Sequence, residues 1–309
     1  MKLSLKRPAA QHILCQCSIS LGDPVCICET KEDLRSALAD LRSTGTIGLV
    51  PTMGYLHDGH MALVHAAAAE CDHVVASIFV NPTQFGSAED LENYPRNMDR
   101  DLSMLRDAGV RVVFTPTPDI MYHPEAQTIV ETTDLANKLM GELRPGHFRG
   151  VATVVTKLFN LFQPDRAYFG QKDYQQLAVI RTMVRDLDIP ITVRGIETVR
   201  EADGLAMSSR NARLSPDARA AAPILARSFD LARDMVAQGA DVAVMETAIR
   251  DFIAAEPLAQ VDTVDIRDAA TLDPITGVPQ RDIVVLLAVT FAPVLLIDQC
   301  VIPTRKDTA

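Results

Sequence analysis

Between residues 46 and 195, short apolar runs alternate with longer stretches whose apolar residues recur every three or four positions. The runs at 46–50, 73–79, 110–115, 167–169 and 191–195 read as buried strands. The stretches at 59–70, 96–108, 148–162 and 173–187 read as helices. An earlier helical pattern through Leu34, Ala37, Leu38 and Leu41 ends at Gly45. Alternation of this kind predicts an α/β fold, a Rossmann-like doubly wound parallel sheet with helices on both faces. Such sheets bind ligands beyond the C-terminal ends of their strands. The turns that follow the apolar runs are therefore where function is to be sought.

The pattern changes after Arg213. Two alanine-rich helices are expected at 216–238 and 241–255, then strands at 261–266, 283–289 and 294–297, which together predict a smaller C-terminal α+β domain. The expected organisation is an N-terminal leader of uncertain structure (1–24), a Rossmann-like domain (25–198) and a C-terminal α+β domain (199–309). The leader carries Lys2, Lys6 and Arg7, but Gln11, His12, Gln16 and Ser18 interrupt any apolar run, so it does not read as a signal peptide. Nothing reaches 18 consecutive apolar residues, and Pro293 divides the most apolar late stretch. Four cysteines, Cys15, Cys17, Cys26 and Cys28, crowd the start as two C-x-C pairs. That spacing is tighter than a zinc knuckle and has no histidine pattern beside it, so they read as reduced thiols in a loose leader. Cys71 and Cys300 read as ordinary thiols of a cytoplasmic protein. A net charge of −10 and the absence of Trp argue against nucleic acid or an anionic membrane as partner.

The densest chemistry follows the first of these runs. Pro51-Thr52-Met53-Gly54-Tyr55-Leu56-His57-Asp58-Gly59-His60 leads from a strand into a helix. A helix start offers unpaired N–H groups and partial positive charge, which suit phosphate. Gly54 and Gly59 allow close backbone approach. Two imidazoles three residues apart can donate hydrogen bonds to phosphate oxygens. Zinc would compete for an H-x-x-H pair, but no third ligand is evident nearby. A second turn, Gly170-Gln171-Lys172-Asp173, opens a helix and carries a lysine suited to phosphate.

The first segment resembles the P-T-M-G-x-L-H-x-G-H motif of the pantothenate synthetase (pantoate–β-alanine ligase) family, a branch of the H-x-G-H nucleotidylyltransferases. Four further blocks follow in family order. Phe79-Val80-Asn81-Pro82-Thr83-Gln84-Phe85, with Asp90 and Tyr94-Pro95-Arg96 behind it, is similar to F-V-N-P-x-Q-F and D-x-x-x-Y-P-R. Arg144-Pro145-Gly146-His147-Phe148-Arg149-Gly150-Val151 is similar to R-P-x-H-F-x-G-V. Phe169-Gly170-Gln171-Lys172-Asp173-Tyr174-Gln175-Gln176-Leu177 is similar to F-G-[EQ]-K-D-x-Q-Q-L. Val199-Arg200-Glu201-Ala202-Asp203-Gly204-Leu205-Ala206-Met207-Ser208-Ser209-Arg210-Asn211 is similar to V-R-E-x-D-G-L-A-M-S-S-R-N.

The resemblance implies an ATP-dependent ligase that joins (R)-pantoate to β-alanine through a pantoyl adenylate, with release of pyrophosphate and AMP. It implies ATP contacts from Met53, Gly54, Tyr55, Leu56, His57, Asp58, Gly59, His60, Gly170, Gln171, Lys172, Asp173, Val199, Met207, Ser208, Ser209 and Arg210. Gln84 and Gln176 would meet pantoate and β-alanine, with Asn81 and Arg144 as further substrate contacts. The catalytic group would be His57, His60, Lys172 and Arg210, with His60 as proton donor. Mg²⁺ would be held mainly by the ATP phosphates, and the chain would be a homodimer. Taken without the resemblance, Met207-Ser208-Ser209-Arg210 reads equally as a polar turn before a helix.

Two departures from the family stand out. Leu139-Met140-Gly141 lacks the acid of the usual L-E-G, and residues 288–299 lack both arginines of the usual A-R-x-G-x-x-R-L-I-D-N. Two other functions stay open on the sequence. One is a nucleotidylyltransferase that stops at an adenylylated product, and the other is a catalytically silent nucleotide-binding scaffold.

Overall fold

The computed structural model describes residues 25–304, so the expectations for residues 1–24, Cys15 and Cys17 included, lie outside it. The first layer runs β1 (Cys26–Cys28), α1 (Lys31–Thr44), β2 (Ile47–Thr52), α2 (Asp58–Glu70), β3 (His73–Ile78), α3 (Ala88–Glu92), α4 (Met98–Asp107), β4 (Val112–Phe114), α5 (Pro118–Met121), α6 (Met140–Leu143), α7 (His147–Phe162), β5 (Arg166–Gly170), α8 (Tyr174–Asp186) and β6 (Thr192–Ile196). These strands form one parallel sheet in the order β1-β4-β3-β2-β5-β6. From β2 the chain winds outward through β3 to β4. It then returns across α7 to place β5 on the other side of β2. The order reverses between β2 and β5, and a crevice opens at such a point beyond the strand ends.

Each central strand is buried on both faces, which explains its unbroken apolar character. Leu49 faces the layer formed by α1, α7 and α8, where Leu34, Leu38, Phe159 and Phe162 pack. Val50, one residue on, faces the layer of α2 and α4 with Leu63, Val64 and Leu105. The β2–β5 pairing is pinned at its start, where the Asp165 carboxylate accepts the Ile47 N–H at 2.7 Å.

The chain continues as α9 (Pro216–Ala221), α10 (Ile224–Ala237), α11 (Val242–Ala254), β7 (Gln260–Asp268), β8 (Ile283–Phe291) and β9 (Val294–Ile302). The three strands form an antiparallel sheet, β7-β8-β9. Its apolar face packs on α10 and α11 through Phe229, Ile249, Val285 and Val289, a core separate from that of the parallel sheet.

Two expectations need correction. Cys26 and Cys28 are not in a loose leader. They form β1, paired with Val112 and Phe114 of β4, with both side chains buried and their sulfurs 3.8 Å apart. The helix expected at 216–238 is two helices, because Pro223 cannot donate into a continuing ladder.

Candidate active site

The β2–β5 crevice opens into a cavity of about 770 Å³, with the C-terminal ends of both strands at one wall and the 199–213 segment and β8–β9 at another. Of the predicted residues, Met53, His57, Gly59, His60, Asn81, Gln84, Arg144, Gly170, Lys172, Asp173, Gln176, Val199, Met207, Ser208, Ser209 and Arg210 all line it. Segments more than a hundred positions apart thus meet because β2 and β5 are neighbours.

Gly54, Tyr55, Leu56, Asp58 and Gln171 do not line this cavity. The first three form the turn that aims the histidines. Gly54 has φ +82° and Tyr55 φ +52°, and a Cβ on Gly54 would come within 3.0 Å of the Asp101 carboxylate. That carboxylate, buried on α4, accepts the N–H of Tyr55 at 2.7 Å and of Leu56 at 2.8 Å. Leu56 is core, and Asp58 is exposed in the first turn of α2.

At the start of α2 the histidines satisfy the backbone themselves. The His57 Nδ1 accepts the Gly59 N–H at 3.2 Å, and the His60 Nδ1 accepts the His57 N–H at 3.4 Å. This is a capping box built from imidazoles. The donors expected to be open for phosphate are therefore partly taken, and each neutral ring carries its proton on Nε2. The rings lie 4.1 Å apart between centroids. Burial, then the Lys172 charge, lowers His57 to about 4. Burial, then His57, lowers His60 to about 3. Both are neutral hydrogen-bond donors near neutral pH.

Lys172 stands in the tight turn Gln171–Asp173 directly after β5. Burial works to raise the neighbouring Asp173 carboxyl, but Lys172, Arg210, His147 and His60 outweigh it and hold the group below the usual carboxylate range. Its anion keeps the cationic wall from repelling itself.

The amides divide into aimed and aiming groups. Asn81 Nδ2 donates to Gln84 Oε1 at 3.0 Å and to the Gly150 carbonyl at 3.2 Å. Its Oδ1 accepts from the Thr83 hydroxyl at 2.9 Å and the Tyr122 hydroxyl at 2.8 Å. With every site used, Asn81 positions Gln84 instead of offering free groups to a ligand. The approach needs Gly150, since a Cβ there would lie 2.5 Å from the Thr83 carbonyl. Gln175 and Gln176 both line the cavity, but Gln175 is spent likewise, donating to Leu135 and Lys138 carbonyls at 2.9 and 2.7 Å.

Several cavity residues were not singled out from the sequence as ligand contacts. His147 donates through Nδ1 to the Gln84 carbonyl at 2.8 Å, and burial, then Arg144, lowers it to about 4. Tyr94 is buried, with its hydroxyl 3.3 Å from that of Ser209. Asp90 and Arg213 also line the cavity. Tyr94 and His147 were visible only as letters of the Y-P-R and R-P-x-H-F blocks. Met140, where the family carries an acid, lines the cavity too.

The 199–213 segment is held by ion pairs. Arg200 donates to both oxygens of buried Asp298 at 2.7 and 3.0 Å. Arg219 pairs with Glu201 and Asp203, each at 2.6 Å. Asp298 is the acid of the family's last-strand pattern, kept where the arginines are lost.

A family profile described as pantoate-beta-alanine ligase matches residues 26–301. A protein named pantothenate synthetase from Rhizobium meliloti (strain 1021) is 52% identical over 279 residues, covering 90% of this chain and 96% of that protein. The crystal structure of pantothenate synthetase from Thermus thermophilus superposes with a TM-score of 0.85 at 46% identity, over 89% of this chain and 99% of the other. The pantoate-beta-alanine ligase of Francisella tularensis, complexed with beta-gamma ATP and beta-alanine, gives 0.74 at 30% identity, over 92% of this chain and all (100%) of that one.

Proposed function

The chain belongs to the pantoate–β-alanine ligase family, and on that premise we propose how its cavity joins (R)-pantoate to β-alanine with ATP. One observation carries the reading. The β2 and β5 turns and the 207–210 segment bring imidazole, ammonium, hydroxyl and guanidinium donors to the same cavity as Gln84 and Gln176.

ATP lies with its phosphates between His57, His60 and Lys172 on one side and Ser208, Ser209 and Arg210 on the other. Gly59, Gly170 and Asp173 frame it, and Val199 and Met207 face the nucleoside. Gln84 and Gln176 orient pantoate by giving and accepting hydrogen bonds at its hydroxyl and carboxylate. A pantoate carboxylate oxygen attacks the α-phosphorus, and the bond to the pyrophosphate oxygen breaks as pyrophosphate leaves. The β-alanine amine, as free base, then attacks the acyl carbon. AMP departs with the bonding pair of the acyl–oxygen bond, and the nitrogen gives up its extra proton to form the amide.

The protein's part is positioning and stabilisation of charge that builds on phosphate oxygens. The two Nε2–H groups do this without ionising, so His60 acts as a neutral donor and not as a charged acid. Arg144, next to Gln84, adds positive charge at the substrate end. At the phosphate end the Asp173 and Asp90 carboxylates are engaged with Lys172 and the arginines, so Mg²⁺ would be carried mainly on the triphosphate; when bound it would neutralise phosphate charge. Residues 199–309 would serve as a lid over the sheet domain 25–198. Homodimerisation and a cytoplasmic location are part of the same reading; among the described residues no helix is long and apolar enough to cross a membrane.

The test is a product balance. Pyrophosphate, AMP and pantothenate should appear in equal amounts only when ATP, pantoate and β-alanine are all present. A stable adenylylated product with no effect of β-alanine would overturn the ligase reading.

A further inference from the structure

Three arginines from two distant segments converge on one carboxylate at the edge of the cavity. Arg213 Nη1 donates to Asp90 Oδ1 at 3.1 Å, while Arg144 Nη2 and Arg210 Nη2 stand 3.9 and 4.0 Å from Asp90 Oδ2. All four side chains are 20–30% exposed, so they are shielded but reachable from the cavity. Asp173 also acts on Arg144 and Arg210, so three cations face two anions and a positive charge is left over. Only Arg213 is hydrogen-bonded to the Asp90 carboxylate. The contacts of Arg144 and Arg210 with it are too long for that; Arg144 Nη2 gives one hydrogen bond to the Gln84 carbonyl at 3.5 Å, and the other donors of the two guanidinium groups face the cavity where another anion can take them. Arg210 is also the residue next to Ser209, whose hydroxyl meets Tyr94.

We propose that Asp90 is a resident counter-ion that stands in for the outgoing pyrophosphate. It gathers Arg144, Arg210 and Arg213 while the site is empty, yields Arg144 and Arg210 to the phosphates when ATP binds, and takes them back as pyrophosphate leaves. The inference rests on the placement of the phosphates given above. The physical logic is competition. A fixed carboxylate beside a polyanion site weakens the anion's hold through like-charge repulsion and spares the arginines from facing one another unneutralised. Such a group speeds release of a highly charged product at the expense of its affinity. It also makes Arg213 part of the anion's surroundings, although no family motif quoted above reaches it.

Asp90→Asn tests this, because the amide keeps the shape and leaves intact the Ser87 cap, which takes the backbone N–H of residue 90 at 3.1 Å. Inorganic pyrophosphate is used as product inhibitor, with its binding also measured directly by calorimetry on the unreacted enzyme. The expected result is about tenfold tighter pyrophosphate binding, or about 1.4 kcal/mol, with a lower KM for ATP and a reduced kcat. Asp90→Glu should restore the normal values. Arg213→Gln should do the opposite and weaken pyrophosphate about tenfold. Unchanged or weaker pyrophosphate binding in D90N would overturn the proposal and leave Asp90 a structural pin for the 209–213 turn. So would an unaffected pyrophosphate constant in R213Q, which also serves if D90N does not fold. Calorimetry needs no turnover, so failure here is separable from failure of the ligase reading, which the product balance decides.

Discussion

On the β2–β5 side of the cavity, His57, His60 and Lys172 ride on turns fixed by the parallel sheet, by backbone hydrogen bonds and by the buried Asp101 carboxylate. On the 199–213 side, Ser208, Ser209 and Arg210 hang from side-chain ion pairs, Arg200 with Asp298 and Arg219 with Glu201 and Asp203. The first wall is anchored through hydrogen bonds to backbone groups, among them those to the buried Asp101 carboxylate. The second is joined to its surroundings by charges, all but Asp298 partly exposed, which can be exchanged for other charges. A wall that must aim donors at a transition state profits from the first kind of support, and a wall that must admit and release a triphosphate profits from the second.

The largest expected effect strikes the first wall. His57→Ala or Lys172→Ala should slow turnover by on the order of a hundredfold or more, about 2.7–4 kcal/mol of barrier. The pyrophosphate-release rate checks this, and near-normal turnover in either variant would remove the assigned roles. Next comes the ion-paired wall. Arg200→Met strands the Asp298 carboxylate, which is 1% exposed, and should destabilise the fold by about 3 kcal/mol. The lower end of the usual range applies because Arg200 itself is 28% exposed. Denaturant unfolding reads the loss, and in folded enzyme KM for ATP should rise more than kcat falls. Equal effects on both would mean that the walls are not separately supported.

A smaller change separates aim from contact. Asp101→Asn replaces a two-oxygen acceptor by one oxygen and an N–H, leaving one backbone donor unmet, at a cost of roughly 1–3 kcal/mol. Thermal melting should show that loss, and kcat should fall although residue 101 touches no substrate. An unchanged kcat would mean that the 54–56 turn does not aim the histidines.

The last prediction concerns pH. His57, His60 and His147 have folded values of about 4, 3 and 4, below the unfolded value of 6.5. The folded state therefore holds fewer protons than the unfolded chain as pH falls. Their contribution to stability is whole above about 6.5 and is lost progressively as pH drops toward 4 and 3. Melting temperature should decline over that window, less steeply in His147→Gln. The free enzyme's kcat/KM should show no acidic limb near 6.5 from these rings. Such a limb, abolished in a histidine variant, would refute the neutral-donor reading.

The first wall was the more legible of the two in the sequence. A strand, a glycine turn and a helix start are local patterns, so residues 51–60 and 170–173 announced a site at the sheet rim. The sheet order was not legible, because nothing in β2 or β5 names its neighbour. Asp101 and Asp90 look like the solvated faces of charged helices, and their targets lie far along the chain. Among the glutamines that line the cavity, composition could not tell that Gln175 is spent on backbone carbonyls. β1 escaped notice because three residues, Cys-Ile-Cys, are too few to show a period. The homologous motifs named Arg210 but not what balances its charge.

The adjacency of β2 and β5 also sets an order of events in synthesis. Ile47 finds the Asp165 carboxylate 118 positions later, so the crevice cannot close until nearly the whole parallel sheet has been made. A nascent or truncated chain ending before residue 170 holds both imidazoles and no lysine beside them. On the proposed reading such fragments hold only half of the donors that would meet the phosphates, so they should bind ATP far more weakly than the whole chain.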